Sequence, residues 1–173
     1  MWLMPGARNR ERRLERLFTA YLARVYLPLG HSYTADPVMG GAVWAPPGRW
    51  PVGISGELRV LPAAIRAYGR WMPRLMRSGA IDERHHPKRP PHWYLALLGV
   101  DPAVEGRGLG SALIQPVLEV CDRDGTPAYL ETLDPRARAF YERHGFSAIG
   151  EHSYPGSELR IFRMWREPRL ARP

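Results

Sequence analysis

Three glycines stand within five positions of the stretch VDPAVEGRGLGSALI, which runs from Val100 to Ile114. A glycine-rich loop that leads into a helix can hold phosphate oxygens, because the first N–H groups of a helix lack intrahelical partners and the helix dipole is positive there. Gly106, Gly108 and Gly110 fit such a loop, and Arg107 adds a cation beside it. The spacing predicts either a phosphate site or a glycine-rich turn without a ligand.

Two well-known phosphate loops do not fit these residues. A P-loop needs a lysine followed by serine or threonine after the glycines, and no such pair is present. A dinucleotide-binding fingerprint needs a third glycine where this chain has Ser111. The loop therefore belongs to neither class.

The elements around the loop follow from its apolar and turn-forming residues. The apolar run Trp93 to Val100 predicts a central strand buried on both faces. A helix with Cys121 on its apolar face should follow the loop and end near Asp124-Gly125. Ala128 to Thr132 predicts a second buried strand, and a helix should run from Asp134-Pro135 to a stop at Gly145.

The rest of the chain predicts helices before the loop and strands after it. Two helices are expected between Gly53 and His86, with an interruption near Gly69 and Pro73. Their expected apolar contacts are Leu58, Leu61, Ile65, Trp71, Leu75 and Met76. The other expected elements are an amphipathic helix at Arg8 to Leu27, a hairpin of His31 to Ala35 with Gly40 to Ala45, and a closing antiparallel pair at Ser147 to Tyr154 and Glu158 to Arg166.

Composition narrows the class of protein. The 173 residues suit one domain with a real core. A net charge of +8 favours any polyanion, so it does not choose a partner, and we expect no dedicated nucleic-acid role. Cys121 is the only cysteine, which excludes an intrachain disulfide and a cysteine zinc cluster. No apolar run is long enough for a membrane span, so the cytoplasm is the expected location.

The block from PPHWYLALLGVDPAVEGRGLGSAL through YLET to FYERHGF resembles the GNAT superfamily of acetyl-CoA-dependent N-acetyltransferases, and within it the puromycin N-acetyltransferases and their relatives. The resemblance covers roughly residues 90–166 of one expected domain, residues 1–173. It implies an α/β (α+β) GNAT fold, with a central mixed, mostly antiparallel sheet flanked by helices. The strand and helix that usually open this fold are expected to be missing, since MWLMP resembles the loop that follows them.

The resemblance also implies a site for acetyl-CoA as co-substrate. The strand residues Leu98, Gly99 and Val100 would pair with the pantetheine arm, and Tyr141 would act as general acid toward the departing thiolate. A phenol has a pKa near 10 and is protonated at neutral pH. The loop residues that would take the pyrophosphate are Glu105, Gly106, Arg107, Gly108, Leu109, Gly110 and Ser111. Relatives usually carry Gln or Arg at the position of Glu105.

The general base is open to alternatives. Glu131, at the end of the second buried strand, is either the base or a carboxylate paired with an arginine. His85, His86 and His92 are either proton carriers or packing residues, and they lack further ligands for a metal. The aromatic residues Trp44, Trp71, Trp93 and Tyr94 either line an acceptor pocket or belong to the core.

Two functions from different classes remain. The first is an N-acetyltransferase that acts on a primary amine of a small molecule, antibiotic-like or metabolite, by direct attack in a ternary complex without a metal. The second is a non-catalytic CoA-binding or interaction module with the same fold. A monomer or a homodimer is expected in either case.

Overall fold

A computed structural model of the protein describes residues 3–4, 8–35, 37–50 and 53–169. One sheet holds six strands in the order β1-β2-β3-β4-β6-β5. The β3–β4 pair is parallel and the other four neighbouring pairs are antiparallel, so the predicted mixed, mostly antiparallel sheet is confirmed. The strands are β1 (Ser32–Thr34), β2 (Gly40–Ala45), β3 (Trp93–Val100), β4 (Ala128–Thr132), β5 (Ser147–Ser153) and β6 (Arg160–Arg166).

Helices cover both faces of the sheet. The α-helices are α1 (Arg10–Tyr21), α2 (Gly53–Tyr68), α3 (Met72–His85), α4 (Leu109–Asp124) and α5 (Pro135–Arg143). A π-helical turn at Leu22–Tyr26 and a 3-10 turn at Leu27–Leu29 extend α1, and a 3-10 turn at Gly69–Trp71 separates α2 from α3. Among the helices of the described ranges, none is both long and apolar enough to cross a bilayer.

Two helix ends lie at the residues that the sequence predicted, the C-terminus of α4 and the N-terminus of α5. Gly125 follows α4 with a φ of 65°, in the left-handed region that glycine enters at little cost. The Asp134 carboxylate accepts a hydrogen bond from the Arg136 N–H at 2.9 Å and caps α5, whose first residue is Pro135. These caps fix where both helices start relative to the strands before them.

The largest core cluster lies where α4 and α5 pack on one face of the sheet. Trp44, Leu130 and Met164 are at most 1% exposed there. Cys121 is fully buried in the same cluster, and burial raises the pKa of its thiol to about 12. The prediction that Cys121 is a core residue is confirmed.

The prediction for the apolar face of α2 and α3 is partly wrong. The exposed residues are Leu58, Leu61, Ile65 and Met76, with exposures of 60%, 39%, 52% and 69%. The residues that α2 buries are Val60, Ala64, Ala67 and Tyr68. Because α2 carries apolar residues on more than one face, periodicity alone does not select the buried one, and the small alanines allow a close approach of α2 to α1.

A buried ion pair joins the end of β6 to α4. The Arg166 guanidinium is 3% exposed and donates two hydrogen bonds of 2.7 Å to the two carboxylate oxygens of Asp122. Its Nε donates a third to the His144 carbonyl at 2.9 Å, just past the end of α5. The hydrogen bonds from Arg166 lower the pKa of Asp122, so this pair stabilises the fold above the usual pKa of an aspartate and stops doing so in acid.

We expect Asp122→Asn to lower the free energy of unfolding at pH 7 by about 3 kcal/mol, because it leaves a buried guanidinium without its counter-charge. Urea denaturation followed by circular dichroism measures the change. The matched control is Asp124→Asn, since Asp124 pairs with Arg123 at the surface, where solvent screens the attraction and the pair adds little to stability. Equal losses for both variants would contradict the structural role of Asp122.

Candidate functional site

The parallel strands β3 and β4 stay paired for only three residues each. The pairs are Trp93 with Ala128, Tyr94 with Tyr129, and Leu95 with Leu130. Beyond Leu95, β3 continues to Val100, where β2 is its only strand neighbour among the residues that the structure describes. The edge of β3 that faces β4 therefore presents backbone groups that an extended ligand can pair with. The prediction that this strand is buried on both faces is wrong for its second half, where Ala96 to Val100 are only partly buried and Gly99 is exposed.

A β-bulge turns the second half of β3. Val43 pairs with Leu97 and Trp44 with Leu95, so Ala96 is the extra residue. Before the bulge, Leu95 faces the α4 core; after it, Leu98 and Val100 do so. Bulges re-aim side chains in this way and occur often beside functional sites.

An open cleft of about 500 Å³ lies beside this edge, between the glycine loop, the start of α4 and one face of α5. The predicted site residues along it are Leu98, Gly99, Val100, Glu105, Gly106, Gly108, Leu109, Gly110, Ser111 and Tyr141. The cleft residues that the sequence did not indicate as ligands are Val104, Asp134, Arg136, Ala137, Phe140 and Arg143. Arg107 is on the loop and exposed, but it does not line the cleft.

The loop backbone leaves room for a ligand. Gly106 and Gly108 have φ angles of 78° and 82°, and a Cβ at either position would meet no protein atom within 4 Å. Gly110 is different, since a Cβ there would lie 3.3 Å from a ring carbon of Phe140. The first two glycines thus permit the turn, whereas the third allows α5 to pack against the start of α4.

Ser111 offers its backbone N–H rather than its hydroxyl proton. The His144 Nδ1–H donates to the Phe140 carbonyl at 2.8 Å, so Nε2 of a neutral ring accepts from the Ser111 hydroxyl at 3.0 Å. The backbone N–H belongs to the first turn of α4, where no intrahelical partner exists. An anion in the cleft would meet this amide at the positive end of the helix dipole.

Two further cations reach the cleft from α5. Arg136 and Arg143 are seven residues apart, which places them on the same helix face two turns from each other. They face the loop across the cleft, where Glu105 is the acidic loop residue. That spacing is visible in the sequence, but only the packing of α5 against the loop shows that both arginines meet the same cleft.

Tyr141 lies on α5 with its ring packed against Phe140 and Phe146. It is 7% exposed, and burial raises the pKa of its phenol to about 12. The hydroxyl therefore keeps its proton throughout the neutral range. The side chain lines the cleft, where it can donate that proton.

Glu131 is the first residue of β4 beyond its last pair with β3. Its neighbour Leu130 belongs to the core cluster that contains Tyr141, and successive side chains of a strand point to opposite faces. Glu131 therefore faces the side of the sheet opposite Tyr141. The predicted acid and the predicted base lie on the two sides of the opening between β3 and β4.

The surroundings of Glu131 shift its titration. Burial raises the pKa of Glu131 to about 7, and the charge of Asp82 adds to this rise. The hydrogen bond from Tyr129 and the charge of Arg163 act in the opposite direction and lower the pKa. The Tyr129 hydroxyl donates to Glu131 Oε1 at 2.7 Å. Within the described ranges no arginine or lysine lies within 4.0 Å of the Glu131 carboxylate. The alternative of an arginine ion pair is thus not observed.

Of the three candidate histidines, His86 and His92 are packing residues. His92 Nδ1–H donates to the Pro90 carbonyl at 2.8 Å, which leaves its Nε2 to accept from His86 Nε2–H at 3.0 Å. Burial lowers the pKa of both rings, that of His86 to about 3, so both are neutral at pH 7. Among the described residues there is no group of three or more histidine, cysteine or acidic side chains able to hold a metal ion.

Of the four aromatic residues considered for an acceptor pocket, three belong to the core and one lies near Glu131. Trp44 and Trp93 are buried in the α4 core, and Trp71 packs near α1 and α2 under Arg70. Only Tyr94 lies on the face of Glu131, with its ring 6.0 Å from that of Tyr129. The core interpretation holds for three of the four residues.

The comparisons with known proteins agree on one family. A model of the acetyltransferase (GNAT) family matches residues 63–146, which include the cleft. A Schizosaccharomyces pombe protein named as an uncharacterized N-acetyltransferase is 41% identical over 54 residues, 31% of this chain and 22% of that protein. The mycothiol acetyltransferase of Beutenbergia cavernae is 43% identical over 63 residues, 35% of this chain and 21% of that protein.

A crystal structure titled histone acetyltransferase HPA2 and related acetyltransferase, from Corynebacterium glutamicum, superposes with a TM-score of 0.70. The match covers 99% of this chain and 81% of that one at 24% identity, and it shows the fold. The alignments span only about a fifth of the two curated relatives. The chain thus has the GNAT fold, and its residues 63–146, which surround the cleft, match the GNAT acetyltransferase family.

Proposed function

We propose that the protein transfers an acetyl group from acetyl-CoA to a primary amine of a small molecule, by direct attack in a ternary complex. The observation that carries this proposal is the opening between β3 and β4. The protonated phenol of Tyr141 lies on one side of it, and the carboxyl group of Glu131, with a pKa of about 7, lies on the other. We treat residues 1–173 as one domain built around this opening.

The residues of the cleft fit acetyl-CoA, the co-substrate that the family uses. The free edge of β3 from Leu98 to Val100 suits the amides of the pantetheine arm. The loop amides at the start of α4, with Arg136 and Arg143 opposite, suit the pyrophosphate. In this assignment Glu105 contributes its backbone, because its carboxylate would repel the phosphates.

The chain supplies a base and an acid for the reaction. The amine must lose a proton to attack the thioester carbon, and ionised Glu131 accepts it. A backbone N–H of β3 beside the opening stabilises the developing oxyanion, and Tyr141 gives its proton to the departing thiolate. Each proton transfer of this kind contributes about 10²–10⁴-fold to a rate.

The chemical class of the acceptor amine is a separate and more specific part of the proposal. The name of the Beutenbergia relative, mycothiol acetyltransferase, supports a small-molecule amine. A closer kinship with the puromycin N-acetyltransferases stays a prediction. A non-catalytic CoA-binding module would have no need for a paired acid and base, so the presence of Tyr141 and Glu131 beside the same opening supports the enzyme over this alternative.

Tyr141→Phe should lower kcat by about 10²-fold or more and leave the Kd for acetyl-CoA unchanged, because it removes the donated proton and keeps the ring. Steady-state kinetics with an accepted amine and calorimetric titration with acetyl-CoA measure the two effects. Tyr33→Phe, on the edge strand β1, is the matched control and should change neither value. An unchanged kcat for Tyr141→Phe would remove the residue from the mechanism.

The pH profile tests Glu131. Because the environment raises the pKa of Glu131 to about 7, the form that accepts a proton dominates only above that pH, and kcat/KM of the wild type should rise up to about pH 7 from the acid side. Glu131→Gln should lose this limb together with about 10²–10⁴-fold in kcat/KM. The ionisation of the amine itself adds the same slope for both proteins. A variant that keeps the acid limb at full rate would show that another group is the base.

A further inference from the structure

A second polar cluster stands on the face of the sheet that Glu131 occupies. We call it the acceptor cluster; its members are Asp82, Tyr94, Tyr129, Glu131 and Tyr154. Asp82 comes from α3, and the Tyr154 hydroxyl donates to its carboxylate, 2.9 Å from each oxygen. His152 Nε2–H donates to Asp82 Oδ1 at 3.0 Å. Three elements far apart in the chain thus bring a second carboxylate to the side of the proposed base.

Both carboxylates of the cluster are held in place but have little positive charge beside them. Glu131 accepts the Tyr129 hydroxyl, and Asp82 accepts Tyr154 and His152. Over the described ranges, neither carboxylate has an arginine or lysine nitrogen within 4.0 Å. Two partly buried carboxyl groups whose hydrogen-bond donors are hydroxyls and one imidazole favour a cationic ligand.

Arg163 is the cation nearest to this arrangement, and it is engaged elsewhere. It lies opposite Glu131 in the β4–β6 register, but its Nη1 donates to the His85 carbonyl at 3.0 Å. Its guanidinium also packs against the backbone at Gly150, where a Cβ would collide with it. Arg163 thus forms no ion pair with either carboxylate, although its charge lowers the pKa of Glu131.

Aromatic rings form a wall beside the two carboxyl groups; Tyr129 itself is fully buried, and the half-buried Tyr94 and Trp50 are the rings that a ligand can contact. The rings of Tyr94 and Tyr129 lie 6.0 Å apart, and Trp50 packs on Tyr94 at 4.7 Å. Aromatic faces attract cations and offer an apolar surface to an alkyl chain. Walls of this kind beside two carboxylates suit an alkylamine better than an amine that carries an acid group.

We propose that the acceptor is a small amine with a second positive charge, and that Asp82 binds this second charge while Glu131 receives the reacting amine. The inference rests on the proposed function and deepens it, since it names the substrate class of the same site. Glu131 takes up a proton in the reaction, whereas Asp82 takes no part in this transfer and can hold the second charge throughout. Asp82 is therefore a specificity-determining residue rather than part of the proton transfer.

Three amines with the same carbon chain provide the test: 1,4-diaminobutane with a remote positive charge, 1-aminobutane with none, and 4-aminobutanoate with a remote negative charge. The wild type should acetylate the diamine with kcat/KM at least about tenfold above that for 1-aminobutane, and 4-aminobutanoate should be the poorest, because a charge-assisted contact is gained or reversed. Asp82→Asn should bring the ratio of kcat/KM for the diamine to that for 1-aminobutane close to one; its effect through the pKa of Glu131 acts on both amines alike and leaves this ratio unaffected.

The neighbouring Glu83 gives the matched control. It follows Asp82 on α3 but is exposed to solvent, so Glu83→Gln should keep the wild-type order of the three amines. Equal rates for the diamine and 1-aminobutane, the reverse order, or an Asp82→Asn variant that keeps the preference would each overturn the inference. The same holds if none of the three amines is acetylated by a protein that binds acetyl-CoA. Failure to bind acetyl-CoA at all would instead contradict the proposed function.

Discussion

The short pairing of β3 with β4 is the constraint on which the site depends. The two strands part after Leu95 and Leu130, and the bulge at Ala96 turns the remainder of β3 toward the cleft. If the strands stayed paired to Val100, the backbone edge would be satisfied within the sheet and no ligand could pair with it. The opening also lets side chains from both faces of the sheet approach the same point, Tyr141 from one face and Glu131 from the other.

The two sides of this opening differ in charge. The cleft side has a helix N-terminus, the loop amides and two arginines of α5, which suit an anionic cofactor. The other side has Asp82 and Glu131, which suit a cationic amine. The net charge of +8 shows neither preference, because it sums over the whole chain. The proposed reaction brings an anion and a cation together from opposite faces, so neither substrate has to cross the surface that suits the other.

The sequence predicted the elements whose limits are set by neighbouring residues. Gly125 ends α4, Asp134 caps α5, and the apolar run to Val100 forms β3 with the predicted bounds. The cleft was predicted because its strand, loop and helix are consecutive in the chain. The family resemblance then gave Tyr141 a role that its own position in the sequence does not indicate.

The parts that escaped prediction depend on distant contacts. Asp82 and Tyr154 are 72 positions apart, and nothing near either residue in the sequence shows that they meet. The buried face of α2 was predicted from apolar periodicity, yet the alanine stripe of that helix packs against α1 and leaves Leu58 and Ile65 exposed. In each case tertiary packing selects among residues that local pattern treats as equivalent.

Calorimetric titration with acetyl-CoA tests the central claim most directly, by comparing the wild type with Gly108→Asp. A Cβ at Gly108 meets no protein atom within 4 Å, so the added carboxylate would enter the cleft rather than the core. Gly30→Asp is the control, since Gly30 has a similar φ of 78° and is equally open but lies away from the cleft. The account predicts binding by the wild type and by Gly30→Asp and a loss of binding by Gly108→Asp. Equal binding by all three proteins, or no binding by the folded wild type, would contradict it.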